Sequence, residues 1–290
     1  MREHLVFVRA GKSSLHRDLL DADPQRNWDC CVNAWGGASA ADALDASQGN
    51  IEIFQDDSIN KFEAFATYAA RAGRVQHYRQ VLMLDDDLRF EPGDVSRYFR
   101  LCETENLFLS QPAIAWGSHA NHLVNLWNPI SVVRRVNFVE VMAPCFSCEA
   151  LAELMALTFS LTRCTWGIDY AWSSLLQGRG CQSIVDAVPM AHTKPMNRAG
   201  GPFYETLRAS GIEPEDELAK VHATYPRWGK MGTLASGHRC RSPMPRAAND
   251  ALVEWMERHK LQAHLHAGGT LAPQLAVGER YIAETAAGHQ

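Results

Sequence analysis

Three consecutive carboxylates, Asp85, Asp86 and Asp87, follow directly on the apolar run Val81-Leu82-Met83-Leu84. A buried strand ending in such a cluster delivers it to the carboxyl edge of a parallel sheet, where open α/β folds bind their ligands. Adjacent negative charges repel one another unless a cation answers them. Hard divalent ions such as Mg²⁺ or Mn²⁺ are held by one or two carboxylates together with the phosphates of a substrate, and that is the chemistry this cluster suggests. Alternation along an extended backbone turns Asp85 and Asp87 one way and Asp86 the other. The competing interpretation is a solvated acidic turn ahead of Pro92.

Two further acids stand out. Asp169, in Trp166-Gly167-Ile168-Asp169, fits a helix N-cap for residues 170–177. Glu140 is the one charge in Phe138-Val139-Glu140-Val141-Met142. A buried strand tolerates a carboxylate only when it is paired or used, which makes Glu140 a candidate for catalysis or for holding an acceptor hydroxyl.

These groups need a scaffold. Apolar runs alternate with helix-period segments up to about residue 195, which predicts an α/β domain on a mainly parallel central sheet flanked by helices. Strands are expected over 5–8, 29–34, 51–55, 80–84, 107–111, 138–142 and 183–188. The spacing of Val95, Tyr98, Phe99 and Cys102 predicts a helix capped by Asp94, and Leu151, Leu154, Met155 and Phe159 predict another. Residues 1–195 are expected to form the catalytic domain. Residues 196–290 read as a helical and irregular C-terminal extension, with helices over 214–224 and 247–261 and a loosely held tail from Ala267. That extension is an acceptor or lid region or an inert buttress, and Arg239, Arg241 and Arg246 lie in it.

The chain has 290 residues with 28 basic and 33 acidic side chains, so no global attraction to nucleic acid or anionic lipid is expected. The longest N-terminal apolar run, Leu5 to Val8, is too short for a signal core or a membrane span. The expected compartment is the cytoplasm. Eight cysteines follow no disulfide-scaffold spacing, and the Cys145-x-x-Cys148 pair lacks a second pair or a His pair for zinc.

The segments Asp85–Phe99 (DDDLRFEPGDVSRYF), Leu109–Ile114 (LSQPAI), 139–147 (VEVMAPCFS), 166–172 (WGIDYAW) and 185–192 (VDAVPMAH) occur in this order over roughly 40% of the chain. They resemble GT-A-fold glycosyltransferases with their DxD signature, and the order is similar to the uncharacterised family called domain of unknown function 707. The resemblance implies a nucleotide-sugar donor, a carbohydrate or other hydroxyl acceptor, and Mn²⁺ or Mg²⁺. It implies Asp85, Asp87 and His192 as metal ligands, Asp86 near the ribose, and Asp169 as catalytic base of an inverting reaction, with Glu140 second. Arg9, Asp56 and Lys61 fall where such folds contact the nucleotide. His119 and His122 with Trp116 could line the acceptor side, and Trp127, Trp166, Trp172 and Trp228 could stack on a sugar. Retention of configuration, a nucleotidyltransferase, a metal-dependent hydrolase and a non-catalytic sugar-nucleotide or carbohydrate-binding protein stay open.

Overall fold

A computed structural model describes residues 2–21, 23, 25–35, 51–196, 200–226, 231–235 and 237–272; Trp228 and residues 273–290 lie outside them. The elements run β1 (His4–Ala10), α1 (His16–Asp21), β2 (Trp28–Ala34), β3 (Ile51–Gln55), α2 (Lys61–Ala72), β4 (Gln80–Leu84) and β5 (Leu88–Arg89). They continue with α3 (Asp94–Thr104), β6 (Leu109–Ile114), β7 (His119–Ala120), β8 (Ser131–Val136), β9 (Cys145–Ser147), α4 (Cys148–Thr158), α5 (Ile168–Leu175) and β10 (Gln182–His192). The last are α6 (Pro202–Ala209), α7 (Pro214–Thr224), β11 (Arg239–Cys240), α8 (Arg246–His266) and β12 (Thr270–Leu271). Among the described residues no helix is long and apolar enough to cross a membrane.

The main sheet has the order β11-β8-β10-β6-β9-β4-β1-β2-β3, with β5 pairing the end of β10. It is mixed rather than mainly parallel. The strands β3, β2, β1 and β4 are parallel, but β9 enters antiparallel between β4 and β6, β8 runs antiparallel beside β10, and β11 pairs antiparallel with the outer side of β8. An antiparallel insert needs no helical crossover, so it leaves the β-helix-β texture of the sequence undisturbed.

Every residue of β1, β2 and β4 is buried, as expected of strands covered on both faces. Val6, Val8, Leu82 and Leu84 pack toward Tyr98 and Phe99 of α3. Their neighbours Leu5, Phe7, Val81 and Met83 belong to the opposite layer, with Phe62 and Phe65 of α2 and Trp172 of α5. Trp172 is thus a core residue, its indole N–H donating to Thr158 Oγ1 at 2.8 Å.

Two helix starts differ from expectation. Gly93 (φ 78°) precedes α3, so Asp94 is its first residue and not its cap; Gly167 (φ 94°) likewise precedes α5 and leaves Asp169 in the first turn. A carboxylate there still faces the positive end of the helix dipole. At Gly167 the left-handed backbone and the neighbouring helix both demand the missing side chain, since a Cβ would meet Val221 Cβ of α7 at 2.9 Å. Gly167→Ala should therefore cost about 1–3 kcal/mol of stability by urea unfolding.

Residues 138–142 form no strand. Their backbone groups are used elsewhere: Glu140 N donates to Gln111 Oε1, the carbonyls of Val141 and Met142 accept from Lys61 Nζ, and Met142 O also accepts from Asp85 N. Side chains and a strand end have taken the groups that a ladder would need.

The far side of the sheet carries a buried charge network. Register slips between Val185 and Pro189 of β10, opposite Pro112 and Ala113 of β6, where the prolines offer no ladder donor. Asp186 lies in that slip and accepts from Asn128 N (2.9 Å), Ser131 Oγ, and Arg134 Nε (2.6 Å) and Nη2 (3.1 Å). Arg134 Nη1 also reaches Glu257 Oε1 of α8 at 2.9 Å, and Glu257 Oε2 accepts from Lys260 at 2.7 Å. Arg241 donates to Asp186 O at 3.2 Å, whereas Arg239 pairs with Glu105 and Arg246 approaches Asp250 at 3.8 Å.

The segment from Ala267 is held rather than loose as far as Ala272. Thr270 and Leu271 pair with His119 and Ala120, and Ala272 N donates to Ala120 O at 3.0 Å.

Candidate active site

The carboxyl ends of β1, β2, β3, β4 and β10 supply the polar groups. Beyond Leu84 the chain turns through the three aspartates into β5, which pairs antiparallel with the end of β10 in the register Leu88↔His192 and Arg89↔Ala191. That register sets Asp87 against His192, with Asp87 Oδ2 3.5 Å from His192 Nε2. Thr193 locks the turn by donating its N–H (3.0 Å) and hydroxyl (2.8 Å) to Asp87 O.

The three aspartates have three environments. Asp85 Oδ1 accepts from Lys61 Nζ at 2.7 Å. Lys61 is the first residue of α2, capped by Asn60, and its three ammonium protons are all spent on Asp85 Oδ1, Val141 O and Met142 O. Its ligand-facing effect is therefore to hold Asp85 and the 138–142 segment. Asp86 Oδ2 accepts from Gly11 N at 2.6 Å, a contact that a Cβ at Gly11 would crowd to 3.1 Å. Burial pushes Asp86 up to about 6, against the pull of that N–H.

Burial also works against the charge on Asp87, yet contact with His192 outweighs it and holds the carboxyl below its ordinary range. His192 is correspondingly raised, Asp87 prevailing over burial of the ring. Asp87 Oδ1 is buried without a hydrogen-bond partner. The Nδ1 of His192 lies 3.0 Å from His119 O and donates there, so Nε2 is the nitrogen turned toward Asp87, donating to it when the ring is protonated and presenting a lone pair when it is neutral. A histidine whose other nitrogen is fixed by a backbone carbonyl is the usual arrangement of a metal ligand. The orphaned oxygen and the oriented lone pair fit a divalent cation completed by phosphate and water. Among the described residues Asp85 does not join them in a ready cluster of three donors within 4.8 Å; the one such cluster is Glu3, His4 and Glu103.

On the β1–β3 side, Arg9 Nη1 donates to Asn33 Oδ1 at 2.8 Å and Nη2 to Ser58 O, while Asn33 Nδ2 donates to Asp56 Oδ1 at 3.1 Å. Burial lowers Arg9 to about 10, which leaves it charged at neutral pH. Its guanidinium sits over Trp35 at 5.1 Å from the ring centre.

On the other side stand Glu140 and Asp169. Glu140 is buried, its Oε1 accepting from Asn121 Nδ2 at 2.6 Å and Oε2 from Asn125 Nδ2 at 2.8 Å. Asp169 accepts from the backbone N–H of Tyr170 at 3.0 Å and from that of Val141. Burial, with the charge of Glu140 adding to it, pushes Asp169 up to about 7. The 138–142 segment thus links Lys61, Asp85, Glu140 and Asp169 through its own backbone.

Asn33, Gln111, Asn121 and Asn125 escaped the sequence reading. Asn33 carried a signal, a lone amide in the run Cys30-Cys31-Val32-Asn33-Ala34, and Gln111 sat in the noted LSQPAI segment. The other two, Asn121 at a bend and Asn125 at the end of a short 3-10 helix over Leu123–Asn125, carried none. Of the expected acceptor-side aromatics, Trp116 donates to Trp127 O at 3.0 Å and Trp127 to Asp186 O at 2.9 Å, so both indole N–H groups are engaged within the protein. All eight cysteines are free thiols, Cys145 buried and Cys148 exposed.

No protein-family model and no curated protein matches the chain. One solved structure that resembles it is that of GalNAc-T7 with UDP, GalNAc and Mn²⁺, at 12% identity and a TM-score of 0.49. The similarity covers 78% of this chain and 51% of the other, so the chain spans about half the length of that protein.

Proposed function

We propose that this chain is a metal-dependent glycosyltransferase with a GT-A-like sheet, transferring a sugar from a nucleotide-sugar donor to an acceptor hydroxyl. The observation that carries the reading is the Asp87–His192 pair at the sheet's carboxyl edge, with a buried, unpartnered carboxylate oxygen and an oriented imidazole lone pair. Asp87 and His192 hold Mn²⁺ or Mg²⁺, with Asp85 as the adjoining carboxylate. When bound, that ion neutralises the charge of the departing diphosphate.

Arg9, Asn33 and Asp56 receive the nucleoside, and Asp86 faces the ribose while its other oxygen stays on Gly11. Asp169 takes the proton from the acceptor hydroxyl, and a proton affinity near neutrality suits that task. Glu140, with both oxygens on amides, serves as a positioning residue whose charge raises the affinity of Asp169 for a proton. A base without a protein nucleophile gives inversion at the anomeric carbon.

The test is a panel of nucleotide sugars with Mn²⁺ and simple hydroxyl acceptors, following nucleoside diphosphate release. Release that disappears in Asp87→Ala is the expected result. Binding without release would make the chain a sugar-nucleotide-binding protein, and pyrophosphate release from a nucleoside triphosphate would make it a nucleotidyltransferase.

A further inference from the structure

At the opposite, amino edge of the parallel strands, His4 opens β1 beside Trp28 of β2 and Gln80 of β4. It is 1% exposed, and neither ring nitrogen has a hydrogen-bond partner. Among the described residues no other histidine has both ring nitrogens buried and unpaired. The ring lies flat on Phe99 of α3, with centroids 4.5 Å apart and planes 3° from parallel, so its direction is fixed by packing. Its Nε2 points at Glu103 Oε1 in the last turn of α3, 3.8 Å away. One donor atom from each of Glu3, His4 and Glu103 lies within 4.8 Å of the others.

A cation already stands in this cluster. Arg79 Nη1 donates to Glu103 Oε1 at 3.0 Å and Nη2 lies 3.4 Å from Glu3 Oε1. The arginine side chain is 63% exposed and anchored by its backbone, whose N–H donates to Glu3 O at 2.8 Å. It can swing into solvent without disturbing the strand edge. Its guanidinium answers the two carboxylates, and none of its N–H groups reaches the imidazole, whose unprotonated nitrogen could accept one through its lone pair. Buried polar atoms are rarely left so, and an absent ion is one of the few explanations. Burial keeps the ring neutral, which preserves that lone pair.

We propose that Glu3, His4 and Glu103 form a second cation site, for a divalent transition ion of the zinc class, in which the ion replaces the guanidinium of Arg79. One imidazole nitrogen and two carboxylates with water in the fourth position is a ligand set that Zn²⁺ accepts, whereas Mg²⁺ prefers oxygen alone. The site ties the start of β1 to the end of α3, at the opposite edge of the sheet from Asp87. Its role is structural and independent of sugar transfer.

The experiment is calorimetric titration of the full chain with Zn²⁺ in excess Mg²⁺, with Co²⁺ absorption as a second reading of coordination. The titration is run in Asp87→Ala, which removes the cation-holding pair at the carboxyl edge, and one ion per chain is expected there. In that background, removal of a ligand in Glu103→Gln should weaken binding at least about tenfold, and removal of the competitor in Arg79→Ala should tighten it by about as much. Absent Zn²⁺ uptake in Asp87→Ala, equal affinity on adding Glu103→Gln, or unaltered affinity on adding Arg79→Ala would each overturn the proposal. Arg79 and Glu103 are both surface-accessible, so neither substitution depends on repacking the core.

Discussion

Replacing Asp169 with Asn should lower turnover by at least about 10², the usual contribution of a positioned general base, while leaving donor affinity intact. Asparagine keeps the size of the side chain and can still accept from Tyr170 N and Val141 N, but it has no basic lone pair. The wild-type rate should rise with pH and level off above about 7, following Asp169 as it loses its proton. The Asn variant should lose that inflection. Turnover within a few-fold of wild type would transfer the role to another group.

The same residue makes an opposite prediction for stability. Between the ordinary carboxylate value of 3.8 and about 7, the folded chain holds a proton on Asp169 that the unfolded chain has released. More protons in the folded state mean that this group's contribution to stability falls as pH rises through that window. Asp169→Asn should therefore melt higher than wild type at pH 8, with the gap closing toward pH 4. A variant both slower and more stable is what a group kept buried for its chemistry should give.

The largest expected loss of stability is at Arg134. The side chain is fully buried, and burial opposes its charge, but Asp186 and Glu257 outweigh that and hold the guanidinium above its ordinary range. Arg134→Met removes the cation and strands Asp186, itself fully buried, together with Glu257. Breaking a buried pair from one side costs about 3–5 kcal/mol because the remaining charge has no answer. The midpoint of urea unfolding should fall accordingly, with Glu257→Gln in the Arg134→Met background restoring part of it. A loss under about 1 kcal/mol would mean that Lys260 alone can neutralise both carboxylates. Lys260, lowered to about 8 by burial against the pull of Glu257, holds its charge less firmly than the arginine does.

Much of this scaffold was legible in the residues. The strands over 51–55 and 80–84 and the helix over 214–224 are where periodicity and flanking turns place them, because each is a run of ordinary length packed on two faces or one. The strand β9 was not legible: three residues leave no period, and its antiparallel entry has no helix to announce it. Strand β8 hid its pattern because Arg134 is buried only by virtue of Asp186, 52 residues later. The 138–142 segment reads as a strand by composition, and long-range partners from Lys61, Gln111 and Asp169 overrode that preference. Within the site, carboxylates and His192 stood out because charge in an apolar context is conspicuous. The amides that orient them did not, since an asparagine looks alike in the sequence with or without a buried carboxylate to serve.

The central claim is that Asp87 and His192 hold a divalent ion through which a nucleoside diphosphate is bound. Calorimetric titration of nucleoside diphosphates into metal-free protein, repeated with Mn²⁺, tests it directly. The account predicts tight binding only with Mn²⁺, weakened in both Asp87→Ala and His192→Ala. Equal affinity in excess EDTA, or undiminished Mn²⁺-dependent binding in both variants, would contradict it.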